Sequence, residues 1–225
     1  MALEAALFDF NGTMIFDSDL QVRAWKVFLG DRIGRDVTDD EFMAHVHGQN
    51  AEHSLRHFLG ELDDAEVARL EEEKEVIARQ MYLDDPASFH LVAGLPELLD
   101  ALEARGVALN IGTAAAMGNV RFYFDHLDLG RWFDISRVAL NDRSFPGKPA
   151  PDIYLHAAAN VGAEVTRSAI FEDALAGLEA ARRAGAAEIV GLTSSLGADE
   201  LMAIPGVTRT IDDYTGAADL LGMFA

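Results

Sequence analysis

Residues 5–13 read Ala5-Ala6-Leu7-Phe8-Asp9-Phe10-Asn11-Gly12-Thr13. Four apolar residues run directly into an aspartate and then into a glycine-containing turn. A run this short, closed by a turn, reads as a buried strand and not as a helix. Asp9 therefore stands at the carboxyl end of a strand, which is where open α/β sheets bind their ligands.

Outward from this stretch the texture changes twice. Residues 17–90 are polar, Glu-rich and helical in period, with Val67, Leu70, Val76, Ile77 and Met81 spaced along one such segment. Gly30, Gly34, Gly48 and Gly60 punctuate the region as helix ends or turns. Beyond Asp84-Asp85-Pro86 the pattern alternates. Helices are expected at 95–105, 117–127, 152–161 and 174–184, and strands at 107–112, 135–140, 169–171 and 189–192. Alternating strands and helices imply right-handed crossovers and a parallel sheet covered on both faces. The expected architecture is one α/β core, doubly wound and mainly parallel, over 1–16 and 91–225. An all-helical segment, 17–90, interrupts it after the first strand.

Half of the 225 residues are hydrophobic and a quarter are charged, the profile of a globular protein with a sizeable core. No apolar run reaches the roughly 18 residues of a membrane helix, and Met1-Ala2-Leu3-Glu4 lacks the basic start of a signal peptide. A cytoplasmic location is expected. The absence of cysteine excludes disulfides, thiolate metal sites and thiol nucleophiles. The formal net charge of −20 argues against nucleic-acid and anionic-membrane partners. It also disfavours an anionic substrate unless a cation or local basic groups reverse the field.

Three expected strand ends carry polar residues: Asp9, Thr113 and Glu172-Asp173. Lys148 follows another strand through Phe145-Pro146-Gly147. The fold would gather these at one edge of the sheet. Three neighbouring carboxylates raise one another's pKa unless a cation sits among them. Oxygen ligands without His or Cys favour Mg²⁺. Gly12 and Thr13 form a turn whose amides and hydroxyl suit phosphate oxygens. Thr113 offers a further hydrogen bond, although it also suits a helix N-cap, as does Asp173. Lys148 supplies a point charge. A carboxylate beside Mg²⁺, a phosphate cradle and a lysine together describe phosphoryl transfer through an aspartyl-phosphate.

The same residues resemble the four ordered motifs of the haloacid dehalogenase superfamily, in the subgroup similar to β-phosphoglucomutase and the sugar-phosphate phosphatases. Asp9-Phe10-Asn11-Gly12-Thr13 resembles the first motif and Thr113 the second. Gly147-Lys148-Pro149-Ala150-Pro151-Asp152 resembles the third, and Glu172-Asp173-Ala174-Leu175-Ala176-Gly177 the fourth. The resemblance implies a Rossmann-like core, with 17–90 as a helical cap that closes over the substrate. It makes Asp9 the nucleophile. Mg²⁺ would be held by Asp9, the Asn11 backbone carbonyl and Asp173, with Glu172 close by. Phosphate would be held by Gly12, Thr13, Thr113, Ala114 and Lys148, with Gln21, Gly48, Gln49 and Lys74 as cap residues facing substrate. The implied activity is a phosphatase acting on a small phosphorylated metabolite, of the sugar-phosphate kind.

Two departures from that pattern matter. Asn11 stands where most family phosphatases have a second Asp, the general acid and base. That role is worth roughly 10²–10⁴-fold, and an amide cannot fill it. Ordinary phosphomonoesters should therefore react slowly, unless the leaving group has a low pKa or another residue or the substrate supplies the proton. In the cap, Gln21 aligns with a histidine of the mutases, and Gln49, Asn50 and Ala51 replace an arginine after Gly48. Ala114-Ala115-Ala116 has no side chain for a distal phosphate. These losses argue against a phosphomutase, the second reading. A third is a catalytically impaired phosphate-binding regulatory protein, for which Asn11 is the discriminating feature. His53 and His57 have helical spacing, but zinc would want a third ligand; structural or substrate-facing roles are expected. Trp25 and Phe28 are expected in the core of the helical segment.

Overall fold

The computed structural model describes residues 2–46, 51–140, 142 and 144–224. The chain divides into two compact units, Met1–Phe16 with His90–Ala225, and Asp17–Phe89. Strand β1 (Ala5–Phe8) opens the first unit. Helices α1 (Ser18–Ile33), α2 (Asp39–His45), α3 (Ala51–Leu59) and α4 (Asp64–Asp84) form the second. The first unit resumes with α5 (Leu95–Ala104), β2 (Ala108–Thr113), α6 (Met117–His126), β3 (Ala139–Leu140) and α7 (Asp152–Asn160). It continues through β4 (Ser168–Glu172), α8 (Leu175–Ala184), β5 (Glu188–Leu192), α9 (Ala198–Met202), β6 (Arg209–Ile211) and α10 (Ala217–Leu221).

The strands lie in the order β3-β2-β1-β4-β5-β6, every pair parallel. From β1 the chain winds outward through β2 and β3 on one side, then returns to β4 and winds outward through β5 and β6. The reversal lies between β1 and β4, the position where such sheets open a crevice at their carboxyl edge. Alternation along each strand feeds two cores. Ala5, Leu7 and Ile170 join Tyr154, Ala157, Leu178, Ala181 and Leu201 beneath α7, α8 and α9. Phe8 and Phe171 point the other way and stack at 4.6 Å, with Phe133 edge-on to Phe8. Leu95, Leu98, Leu99 and Leu102 bury the inner face of α5 against that side.

The second unit has its own core: Phe28, Leu29, Val37, Phe42, Leu55, Val67 and Leu70, with Trp25 packed against it. Thr38 with Glu41, and Asp63 with Glu66, form reciprocal capping boxes that start α2 and α4. Gly34 ends α1 in the left-handed conformation, its N–H bonded to the Gly30 carbonyl.

Three expectations about local structure need correction. Gly30 is not a helix end but lies inside α1. Residues 135–140 are not one strand: Ile135–Arg137 is a 3₁₀ turn, and only Ala139–Leu140 pairs with β2. The Asp134 carboxylate accepts from both the Ser136 N–H and hydroxyl, so a local side-chain bond outcompetes the ladder. The sheet also extends one strand further than expected, through β6, whose three residues are all only half-buried. No described helix is long and apolar enough to cross a membrane.

Candidate active site

β1 delivers Asp9 to the carboxyl edge, where its N–H is fixed by the Phe171 carbonyl at 3.0 Å. The chain then folds tightly: Met14 N–H reaches back to the Phe10 carbonyl at 2.7 Å, and Gly12 N–H bonds the Ile15 carbonyl at 2.8 Å. Gly12 has φ +78, and a Cβ there would overlap the Asp173 carboxylate. Glycine thus permits both the left-handed turn and the close approach of β4's end.

Among the described residues, one group of three or more such side chains brings its potential metal-ligating atoms together. It is Asp9, Glu172 and Asp173, all buried and within 4.8 Å of one another. Lys148 lies between two of them, its Nζ 2.6 Å from Asp9 Oδ1 and 2.7 Å from Glu172 Oε2. Tyr154, on α7, donates its hydroxyl to Glu172, and Ala174 N–H donates to Glu172 Oε1 at 3.2 Å. Asp173 accepts from Thr13 Oγ1 at 3.4 Å and from the Ser195 hydroxyl. Ser194 Oγ donates to the Gly12 carbonyl at 2.5 Å, and Tyr214 donates to the Thr13 carbonyl at 3.2 Å.

The electrostatics follow from this crowding. Burial, reinforced by the Glu172 charge, holds the Asp9 carboxyl far above its ordinary range despite the opposing pull of Lys148. Burial and Glu172 push Asp173 up to about 6. Burial works against charge on Lys148, but Asp9 and Glu172 outweigh it and shift its pKa upward. Fully ionised, three carboxylates against one ammonium would leave two negative charges in a buried site, which is why burial raises Asp9 and Asp173 in the absence of a cation. A divalent cation fits that deficit, and an all-oxygen donor set fits Mg²⁺. Glu172 already holds three donors, so Asp9 and Asp173 are the carboxylates better placed to ligate.

The expected site residues fall into three groups. Asp9, Gly12, Thr13, Lys148, Glu172 and Asp173 come together. Asp173 is not a helix cap, since α8 begins after Ala174 and Asp173 bonds elsewhere. Thr113 ends β2 beside β1, buried, with its oxygen accepting from Ala115 N–H at 3.1 Å; it does not cap α6, and Ala114 follows it in an exposed turn. Asn11 turns its amide to Tyr123, Nδ2 donating to the phenol oxygen at 3.0 Å. In the second unit, buried Lys74 bonds Gln21 Oε1 at 2.6 Å and Glu75 at 2.8 Å, with Trp25's ring 5.3 Å away. Gln21 Nε2 also reaches Tyr82 at 2.9 Å. Gly48 and Gln49 lie outside the described residues. His45 and His57 stack at 3.6 Å, a packing arrangement and not a ligating one.

Sequence reasoning missed Tyr123, Tyr154, Ser194, Ser195 and Tyr214. The serines had a usable signal, because they follow β5 at the same sheet edge as the other strand-end polar residues. The tyrosines had none.

Gly177 provides one direct test of the site's packing. A Cβ at this position on α8 would overlap the Glu172 carboxylate. Gly177→Ala should displace Glu172, and with it Lys148. A shift of that kind costs on the order of 10²-fold in rate. Activity within threefold of wild type would show that Glu172 has room to move.

A doubly wound α/β unit with a lysine-bridged acidic cluster at its topological switch point is the frame of a phosphoryl-handling hydrolase. The chain belongs to the haloacid dehalogenase-like hydrolase family, whose model matches residues 3–185. It is 29% identical to β-phosphoglucomutase of Mycobacterium bovis over 218 residues, covering 84% of this chain and 81% of that protein. It is 31% identical to fructose-1-phosphate phosphatase YqaB of Escherichia coli, covering 80% of this chain and 91% of the relative. Among solved structures, a family IA variant 3 HAD hydrolase from Entamoeba histolytica superposes with a TM-score of 0.90 at 34% identity. That match covers 98% of this chain and 100% of the other.

Proposed function

We propose that this protein is a Mg²⁺-dependent phosphatase of small phosphorylated metabolites, sugar phosphates among them, working through an aspartyl-phosphate at Asp9. The observation that carries the reading is Lys148 bridging Asp9 and Glu172, with Asp173 alongside, at the sheet's switch point. The relatives named above support the substrate class. Asp9, Asp173 and the Asn11 backbone carbonyl would hold the metal. When bound, the metal offsets the carboxylates and the phosphate oxygens, drawing an anion into an acidic protein. Lys148 opposes the protonation that burial favours at Asp9, holds its carboxylate oriented for attack on phosphorus, and adds its charge to the transferring group. Thr113, Ala114 and the Gly12–Thr13 turn would seat the phosphate oxygens, and Asp17–Phe89 would serve as the cap that selects the substrate. A phosphomutase is disfavoured by Ala114-Ala115-Ala116, which offers nothing to a second phosphate.

Phosphate release from a panel of sugar phosphates tests this reading, with Mg²⁺ or with EDTA, for the wild type and Asn11→Asp. Release should require Mg²⁺. Asn11→Asp should accelerate it by roughly 10²–10⁴-fold, the range of general acid–base catalysis. Silence from both proteins across the panel would sink the phosphatase and leave the phosphate-binding regulator. Isomerised sugar phosphate without free phosphate would favour the mutase.

A further inference from the structure

We infer that the site turns over phosphoryl donors whose leaving group departs as a stable anion (acyl, enol and acidic aryl phosphates) far better than simple alkyl phosphates. This rests on the phosphatase reading and narrows it to a substrate class. The argument is an inventory of protons. Thr13 and Ser195 donate their hydroxyls to Asp173, Ser194 to the Gly12 carbonyl, Tyr154 to Glu172 and Tyr214 to the Thr13 carbonyl. Lys148 directs its ammonium at Asp9 and Glu172. The site's donors thus brace the nucleophile turn and the carboxylates. Asn11, two residues past the nucleophile on the same turn, gives its amide to the Tyr123 oxygen and cannot change protonation state. The arrangement favours attack by Asp9, and among the described residues of this sheet edge no carboxylic acid or imidazole is committed to the departing oxygen; the Thr113 and Tyr123 oxygens accept from Ala115 N–H and the Asn11 amide.

The chemistry then sorts substrates by what leaves. An Asp9 carboxylate oxygen bonds to phosphorus as the phosphorus–leaving-oxygen bond breaks, and the electron pair goes with that oxygen. A carboxylate leaving group, with a conjugate-acid pKa near 4, or a phenolate, near 10, needs no proton from the protein or only weak help. A sugar alkoxide, several units more basic, does need one. Water next bonds to phosphorus as the Asp9 oxygen–phosphorus bond breaks, its protons passing to the released phosphate and to solvent. Asp9 returns as a carboxylate. With no base among the described residues of this sheet edge committed to that water, this second step is the slower for acidic leaving groups, and the phosphorylated enzyme accumulates.

The test measures kcat/KM with Mg²⁺ for acetyl phosphate and a graded series of aryl phosphates. Wild type and Asn11→Asp are run in parallel, with Asp9→Asn as the background control. The wild-type rate should fall about 10²-fold more across the series than that of Asn11→Asp. Acetyl phosphate should also give a burst of one acetate per site and a phosphorylated Asp9 detectable by mass. An equally shallow dependence in both proteins would overturn the inference while leaving the phosphatase standing. If Tyr123→Phe then steepened it, the proton came from Tyr123 and the inference falls. No release and no phosphorylated Asp9 with any donor, in either protein, would instead remove the phosphatase reading beneath it.

Discussion

Asp9→Asn is expected to abolish Mg²⁺-dependent phosphate release, by at least about 10⁴-fold, or ~5 kcal/mol of barrier at 1.36 kcal/mol per decade. The same protein should be as stable as the wild type, or more so, in metal-free buffer. The first half follows from removing the proposed nucleophile, since no other described carboxylate has both the strand-end position and the Lys148 contact at 2.6 Å without being filled by other donors. The second half follows from the site's electrostatics. Asp9 is buried against Glu172 and Asp173, and its charged form is penalised in the fold. Asn keeps the volume and removes that repulsion, while Lys148 retains Glu172. Active sites commonly trade stability for chemistry in this way. Denaturant midpoints and phosphate release, measured on one preparation, check both halves. Residual release near wild-type level would transfer the nucleophile's role elsewhere, and a lowered midpoint would show that Asp9 is held mainly as a structural partner of Lys148.

Gly94→Ala should cost roughly 3–5 kcal/mol of stability, the largest effect expected from removing no interaction at all. Gly94 has φ +80, where a Cβ is strained, typically by about 1–3 kcal/mol. That Cβ would also overlap the backbone of Tyr214 and Thr215, which no rotamer change can relieve. Tyr214 cannot retreat easily: its N–H bonds the Ala93 carbonyl at 2.9 Å, and its fully buried ring lies 6.3 Å from Phe8. Because Tyr214 also braces Thr13, activity should fall with stability. Gly130→Ala is the matched control. Its Cβ would enter open space without left-handed strain, so its midpoint should stay within about 1 kcal/mol. A small effect at Gly94 would mean that the Tyr214 segment shifts without resistance.

The central strands were legible because buried parallel strands are short apolar runs, and each run here leads into a polar residue at the sheet's carboxyl edge. Ala5–Phe8 into Asp9 and Ser168–Glu172 into Asp173 are the plainest cases. The edges were less so. Arg209–Ile211 carries no apolar run, and its membership of the sheet is decided by pairing with β5. Arg137 and Ser136 sat in a window that looked β-like until Asp134 captured the backbone. In the site, the charged residues could be placed from sequence, but their division of labour could not. Nothing in the spacing shows that Lys148 is shared between two carboxylates, or that Asn11 is turned to Tyr123 on α6. Those are facts of packing between segments distant in sequence, 139 residues for Lys148 with Asp9 and 112 for Asn11 with Tyr123.

That separation has a consequence for the chain as it is made. The Asp9 turn emerges from the ribosome well before Ser194 and Tyr214, which clamp its Gly12 and Thr13 carbonyls from 182 and 201 residues downstream. At about 5–20 residues per second, roughly 10–40 s pass between the two events. Throughout that interval the acidic loop lacks its lysine, its serines and its tyrosine in turn. The site is therefore complete only once residue 214 has been made, and a nascent chain displays the motif well before its braces are in place.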